Sequence, residues 1–394
     1  MRVVLFTGKG GVGKTTAAAA TATMAAGRGQ KTLALSTDPA HSLADALGIE
    51  AGDDPVEVDA GLFVQQVDAL RRFEASWSAV RDYLLAVLDG AGVDGIVAEE
   101  LLAPPGAEDV LALLELREQA RSGRYDVIVV DCAPTAETIR LLALPGVLAW
   151  YLDRLFPAER RVVRSLRPVL GRVAGLPVPS PEVLSTIDRL CDQLGDACDL
   201  LTGPNASVRL VLTPERVVVA ESRRTLTSLA LFGYTVDAVI ANRVFPDASS
   251  DPWLSGWAAA QQGVLAEIDA SFAPLPVYRS PFAVREPVGV GELGRFAEAM
   301  YADADPLAAP AMSGGPRVER CGSDYVLELG LPFAERGSTE LTRSGDELVV
   351  TVGSRRRILA LPSALRRCTV AGAALTDGVL RVTFQPDPTL WMSP

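Results

Sequence analysis

The feature that most constrains this chain lies near its start: Gly8-Lys9-Gly10-Gly11-Val12-Gly13-Lys14-Thr15. It fits the pattern G-x-x-x-x-G-K-[ST]. A short apolar run, Val3 to Phe6, precedes it. An Ala- and Thr-rich stretch without breakers, Lys14 to Ala26, follows until Gly27 and Gly29 stop it. A strand that enters a glycine turn and leaves as a helix aims backbone N–H groups, and the helix's positive end, at one anion. The run from Gly8 to Thr16 is therefore expected to cradle the phosphates of ATP. Lys14 is placed to reach the β and γ phosphates, and the Thr15 hydroxyl to ligate Mg²⁺.

Strand and helix signals continue to alternate beyond the cradle. Thr32 to Leu35, Tyr125 to Val130, Val208 to Leu212, Val236 to Ala241 and Leu275 to Tyr278 read as strands. Val217 to Leu231 and Val290 to Tyr301 read as helices, as do two longer regions at about 71–121 and 145–201. This alternation predicts an α/β unit over residues 1–305, with a parallel sheet covered on both faces and a helical subdomain. Pro306, Pro310, Gly314, Gly315 and Pro316 mark residues 306–316 as a linker. Period-two alternation follows, with Tyr325, Leu327, Leu329 and Leu331 on one face, and predicts an all-β sandwich over 317–386.

Composition excludes several classes. A net charge of −12 is a poor match to nucleic acid, whose phosphates need Lys and Arg. No apolar run reaches the roughly 18 residues of a membrane span, and the start has no signal-peptide pattern, so a cytoplasmic protein is expected. The cysteines, Cys132, Cys191, Cys198, Cys321 and Cys368, are odd in number and include no C-x-x-C pair, which fits free thiols better than disulfides or zinc.

Lys9, a second lysine opening the cradle, resembles the deviant Walker A subclass of P-loop NTPases. The resemblance implies that Lys9 reaches across a homodimer to the partner's nucleotide, as an arginine finger does. Two further segments, Ser36-Thr-Asp-Pro-Ala-His-Ser-Leu-Ala-Asp45 and Asp131-Cys-Ala-Pro-Thr-Ala-Glu-Thr-Ile-Arg140, are similar to the two switches of one family. That family contains the arsenite-pump ATPases and the guided-entry factors that target tail-anchored membrane proteins. By this resemblance Asp38 orients the attacking water, and Asp131 holds Mg²⁺ through water. His41 is a switch element, and Asn242 contacts adenine with Pro281 and Phe282 as the other wall. Switch II departs from the family at Ala136-Glu137, where Gly-His is usual. Residues 317 to 386 resemble the α-crystallin domain of small heat-shock proteins, carried by Tyr325–Pro332, Leu348–Gly353, Arg355–Pro362 and Ala373–Phe384.

These features favour a homodimeric ATPase that binds and releases hydrophobic protein clients. Val147–Phe156 would add apolar surface, and the sandwich would add sheet grooves and edges. An arsenite-efflux ATPase is an alternative; Cys191 and Cys198 lie about two helical turns apart and could share a face. A partitioning or division-site ATPase is a third. The arginines at 154, 160, 161, 164, 167 and 172 could give transient contact with a membrane surface or acidic partner.

Overall fold

The computed structural model describes residues 1–38, 42–67, 107–132, 181–246, 251–310 and 315–390, with isolated helical positions at 82, 85 and 89. Its larger sheet has eight strands in the order β3-β4-β2-β5-β1-β6-β7-β8. These are β1 (Arg2–Thr7), β2 (Thr32–Ser36), β3 (Val56–Asp59), β4 (Leu62–Gln66), β5 (Val127–Asp131), β6 (Ala206–Leu212), β7 (Val236–Val244) and β8 (Val277–Pro281). All neighbours pair parallel except the edge strand β3, which runs antiparallel to β4. Every residue of β1, β2, β5 and β6 is buried. That is the pattern of central strands covered on both faces, and it explains their unbroken apolar runs.

The helices of this unit are α1 (Lys14–Gly27), α2 (Ser42–Leu47), α3 (Ala107–Arg121), α4 (Pro181–Thr202), α5 (Arg216–Phe232), α6 (Pro252–Phe272) and α7 (Val290–Tyr301). Helix α1 packs on α7 and β5, and α3 packs on α4. The α7 bounds coincide with the expected helix, and α3 and α4 fall at the far ends of the two expected helical regions. The hairpin β3–β4 and the long helix α6 were not expected. The last strand lies two to three residues later than its apolar run suggested, at Val277–Pro281. Among the described residues no helix is long and apolar enough to cross a membrane. The segments 147–156 and 154–172, and the second switch beyond Cys132, lie outside the described residues.

A buried polar knot ties the sheet to the segment that leaves it. Asp237 Oδ2 accepts from Arg209 at 2.7 Å and from Arg2 at 3.0 Å, and all three side chains are at most one-tenth exposed. Arg209 also donates to the Tyr301 hydroxyl at 2.8 Å and to the Pro306 carbonyl at 3.0 Å. Leu307 packs on the main core. The expected linker therefore begins with residues fastened to the sheet rather than free in solvent; its proline content gave no sign of this anchoring.

The C-terminal unit is a seven-stranded sandwich. One sheet has the order β14-β15-β10-β9 and the other β11-β12-β13. The strands are β9 (Arg317–Cys321), β10 (Asp324–Gly330), β11 (Thr339–Ser344), β12 (Glu347–Val352), β13 (Arg355–Ala360), β14 (Cys368–Thr376) and β15 (Val379–Pro386), with a short helix α8 (Ser363–Arg366) between β13 and β14. The expected face of β10 points inward: Leu327, Leu329 and Leu331 join Leu348, Val350, Val382 and Phe384 in one core. That core also takes Leu231, a fully buried residue from α5 of the first unit. Nearby, Thr227 on α5 donates to the Pro332 carbonyl, and Arg357 on β13 donates to the Leu231 carbonyl at the end of α5. Phe333 meets the Phe272 ring edge-on at 6.0 Å. The sandwich is thus docked on α5 by apolar burial and two hydrogen bonds.

Two guanidiniums share the single carboxylate of Asp237, so removing it strands buried positive charge. Asp237→Ala is expected to lower folding stability by about 3–5 kcal/mol in urea denaturation; a loss below about 1 kcal/mol would show that the knot is solvated.

Candidate active site

Strand register assembles the site. In β1 and β5, Phe6 pairs with Asp131; in β2 and β5, Ser36 pairs with Asp131. The carboxyl ends of three adjacent parallel strands therefore bring Gly8, Asp131 and Thr37–Asp38 to one edge. Backbone bonds lock the alignment: Thr37 N donates to Asp131 O at 3.0 Å and Cys132 N to Phe6 O at 3.1 Å. On the other side, Val211 of β6 and Asn242 of β7 face the cradle.

Two glycines are fixed by contact. A Cβ on Gly8 would lie 2.1 Å from the Val211 carbonyl oxygen, so any side chain there pushes the loop off β6. Gly13 sits at φ 91°, and a Cβ on it would lie 2.2 Å from Asn242 Nδ2. Gly13 caps α1, whose first turn holds no acidic residue. The free N–H groups of that turn, the helix dipole and the Lys14 charge all favour an anion at the cradle. Gly10 and Gly11 have open space where a Cβ would be. Val12 is buried in the core, and Thr15 and Thr16 are half-buried on the first turn of α1.

Asp131 is buried at 1% exposure; neither carboxylate oxygen has a hydrogen-bond partner of full geometry among the described residues, although the Thr15 hydroxyl is near enough to stabilise its charge. Burial raises its pKa to about 7; the Thr15 hydroxyl and the Lys14 charge pull it down, and Asp38 pushes it up. An orphaned carboxylate beside a threonine hydroxyl and a second carboxylate is a donor set suited to a hydrated hard cation. Among the described residues no group of three or more His, Cys, Asp or Glu could hold a metal by itself, so water and phosphate oxygens would complete the shell. Cys132 next door is buried, and its thiol is raised far above the ordinary range by that burial, which makes it an inert packing residue.

Lys9 stands apart from Lys14. Its Nζ lies 3.8 Å from Glu221 on α5, with both side chains part-exposed. Asp38 follows β2 with its N–H bonded to Ser36 Oγ at 3.3 Å. His41 and the Pro134–Glu137 part of the second switch lie outside the described residues, as does the side chain of Cys191. Asn242 is the residue whose surroundings differ most from the expectation. It lies inside β7 rather than after it, is 6% exposed, and donates through Nδ2 to the Val12 carbonyl at 2.7 Å. Its Oδ1 accepts from Ser280 Oγ at 2.8 Å. The carboxamide is thus engaged with the cradle itself. Pro281 ends β8, and Phe282 follows it at 49% exposure. Sequence reasoning missed Ser280, Glu221 and Gln261, which bonds the chain just after Asn242. Gln261 was findable: Asp251-Pro252 is a helix-start signal, with Asp251 capping and proline in the first turn, and it opens the helix that carries Gln261.

Comparison with known proteins agrees along the whole chain. Residues 1–302 match the family described as anion-transporting ATPase, and residues 322–384 match an HSP20-like domain found in ArsA. A Prosthecochloris vibrioformis protein, provisionally named an arsenical pump-driving ATPase, is 36% identical over 390 residues, 98% of this chain and 96% of its own. An uncharacterised protein of Streptomyces coelicolor is 41% identical over 396 residues, 99% of each chain. A protein of Mycobacterium tuberculosis is 38% identical over 416 residues, 99% of this chain and 97% of its own.

The Asp131 pKa makes a stability prediction with a definite sign. A carboxyl that holds its proton more tightly when folded favours the fold at low pH. That contribution is complete below the unfolded value of about 3.9 and is lost as pH rises through the folded value. In chelator and without nucleotide, wild-type stability relative to Asp131→Asn should fall by up to about 4 kcal/mol from pH 4 to pH 8. A gap that stays constant across this range would contradict the buried, unpaired placement.

Proposed function

The chain belongs to the anion-transporting ATPase family and is an ATPase, and we propose that it works as a homodimer in which the nucleotide cycle governs the capture and release of apolar protein segments. One observation carries this reading. Helix α5 touches both ends of the machine: Glu221 pairs with Lys9 of the cradle, and Leu231 completes the core of the sandwich. Rearrangement at the cradle has a rigid element through which to reach the sandwich. The two faces between them border a cleft of about 470 Å³, lined in part by Glu221, Leu231, Phe333 and Val352.

At the site, the N–H groups of the cradle and the Lys14 ammonium hold the β and γ phosphates and stabilise charge as it shifts toward the leaving ADP. Asp38 positions the water that attacks the γ phosphorus and takes up its proton as the bond to the β–γ bridging oxygen breaks. Lys9 leaves Glu221 and delivers its charge to the partner's phosphates. Thr15 and Asp131 would hold Mg²⁺, which when bound neutralises phosphate oxygens. In this reading Pro281 and Phe282 form one wall for the adenine, and Asn242 lies at its edge.

The part-exposed pair of Lys9 and Glu221 is worth no more than about 1 kcal/mol, so it yields readily to a phosphate. The acidic balance of the chain disfavours nucleic acid as partner. A second reading, ATP-driven extrusion of arsenite or a related anion, has the name of the Prosthecochloris vibrioformis relative in its favour.

Two experiments test the proposal. Lys9→Ala and Asp38→Asn should each lower kcat by roughly 10²-fold or more. Mixing the two inactive proteins should restore activity, because the mixed dimer holds one complete site; no recovery would show that Lys9 acts in its own chain. Separately, immobilised peptides with an apolar tail should be retained in one nucleotide state and released in another. Absence of binding in every state, together with ATPase activity stimulated by arsenite, would replace the client reading with the anion reading.

A further inference from the structure

The strongest unassigned feature lies where β7 leaves the sheet. Arg243 has a left-handed backbone, φ 59°, in a non-glycine residue with no turn to require it. The β7–β8 register shifts between Ala241 and Val244, so pairing is interrupted at Asn242 and Arg243 and resumes at Val244 with Pro281. Gln261, in the middle of α6 and only 8% exposed, spans the interruption. Its Nε2 donates to the Arg243 carbonyl at 3.1 Å, and its Oε1 accepts from Phe245 N at 2.9 Å. A carboxamide, with a donor and an acceptor on one plane, can close both backbone groups on either side of Val244; no aliphatic residue and no carboxylate can.

The consequence reaches the cradle on both sides of the bend. Immediately before it, Arg243 N donates to Asn242 Oδ1 at 2.9 Å, which orients the carboxamide that bonds Val12 and touches Gly13. Immediately after it, the Phe245 ring stacks on Phe282 with centroids 5.1 Å apart and planes 13° from parallel. Phe282 N also donates to the Val244 carbonyl at 2.8 Å. Backbone strain persists where surrounding structure over-determines it, and such sites cluster where a ligand is gripped.

We propose that Gln261 is a positioning residue for nucleotide binding: by clamping Arg243 in the left-handed conformation it sets Asn242 against the cradle and Phe245 behind Phe282. The proposal rests on the cradle being the ATP site. It assigns to α6 a part in substrate affinity that no residue touching the cradle reveals.

Glycine adopts the left-handed conformation without help, which gives the test its control. Gln261→Ala should raise the ATP Kd and KM by about tenfold as the bend at Arg243 relaxes, with kcat within about twofold of wild type. Arg243→Gly alone should bind ATP like wild type. The double variant, Arg243→Gly with Gln261→Ala, should recover most of the lost affinity, because the bend then no longer needs its clamp. Wild-type KM in Gln261→Ala would overturn the proposal. So would a double variant as weak as Gln261→Ala, since the loss would then come from packing. Wild-type ATP binding, measured alongside, keeps the two readings apart: its absence would sink the nucleotide assignment, whereas its presence with failed rescue sinks only the clamp.

Discussion

A carboxylate buried at the end of a central strand, with no hydrogen-bond partner of full geometry among the described residues, is the constraint around which the larger sheet is arranged. Asp131 could not survive at 1% exposure in an apolar sheet without compensation nearby. The fold supplies it by geometry alone. Parallel register sets β5 between β1 and β2, so the cradle lysine and threonine arrive on one side and Asp38 on the other. The Thr15 hydroxyl and the ammonium of Lys14 offset part of the burial, and the rest is left as a raised pKa. A carboxylate in this condition gains from a nearby cation.

The second constraint is mechanical. At its far end helix α5 is joined to the sandwich, because Leu231 is part of the sandwich core and its carbonyl is held by Arg357. A docked sandwich adds its own stability to one position of α5. Glu221, on the same helix, meets Lys9 through a bond weak enough to exchange. A firm joint at one end and a loose one at the other is what a two-position element needs. Phe333, in a left-handed backbone at φ 62°, packs against Phe272 beside this joint.

Much of this was legible in the sequence where local chemistry and fold agree. The cradle declared itself because its glycines, lysine and threonine must sit between a strand and a helix. Buried strands β1, β2, β5 and β6 declared themselves as apolar runs, and β10 by strict alternation. The edge hairpin β3–β4 did not, because half-exposed Val56-Glu-Val-Asp59 carries as many acids as apolar residues. Helix α6 was hidden because its buried stripe, Ala258, Gln261, Leu265, Ile268 and Phe272, includes a small residue and a polar one, despite its capping signal. Asn242 was expected at the site, yet its partners were not, since nothing local predicts that a side chain in β7 will bond a carbonyl 230 residues away. The same holds for Glu221 and for the bonds of Gln261, although the helix that carries Gln261 had a readable start: these contacts are tertiary, and no periodicity encodes them. The docking of the Pro306–Ala308 segment was hidden for the same reason, with Arg2 and Arg209 as its distant anchors.

The claim on which the account stands is that α5 carries the state of the cradle to the sandwich. Amide hydrogen exchange of Asp38→Asn, with and without ATP and Mg²⁺, measures this directly. Protection should change along α5 and in the Pro332–Glu335 turn of the sandwich, beyond the change at Gly8–Thr16. Protection that changes at the cradle alone, with α5 and the sandwich unaltered, would contradict it.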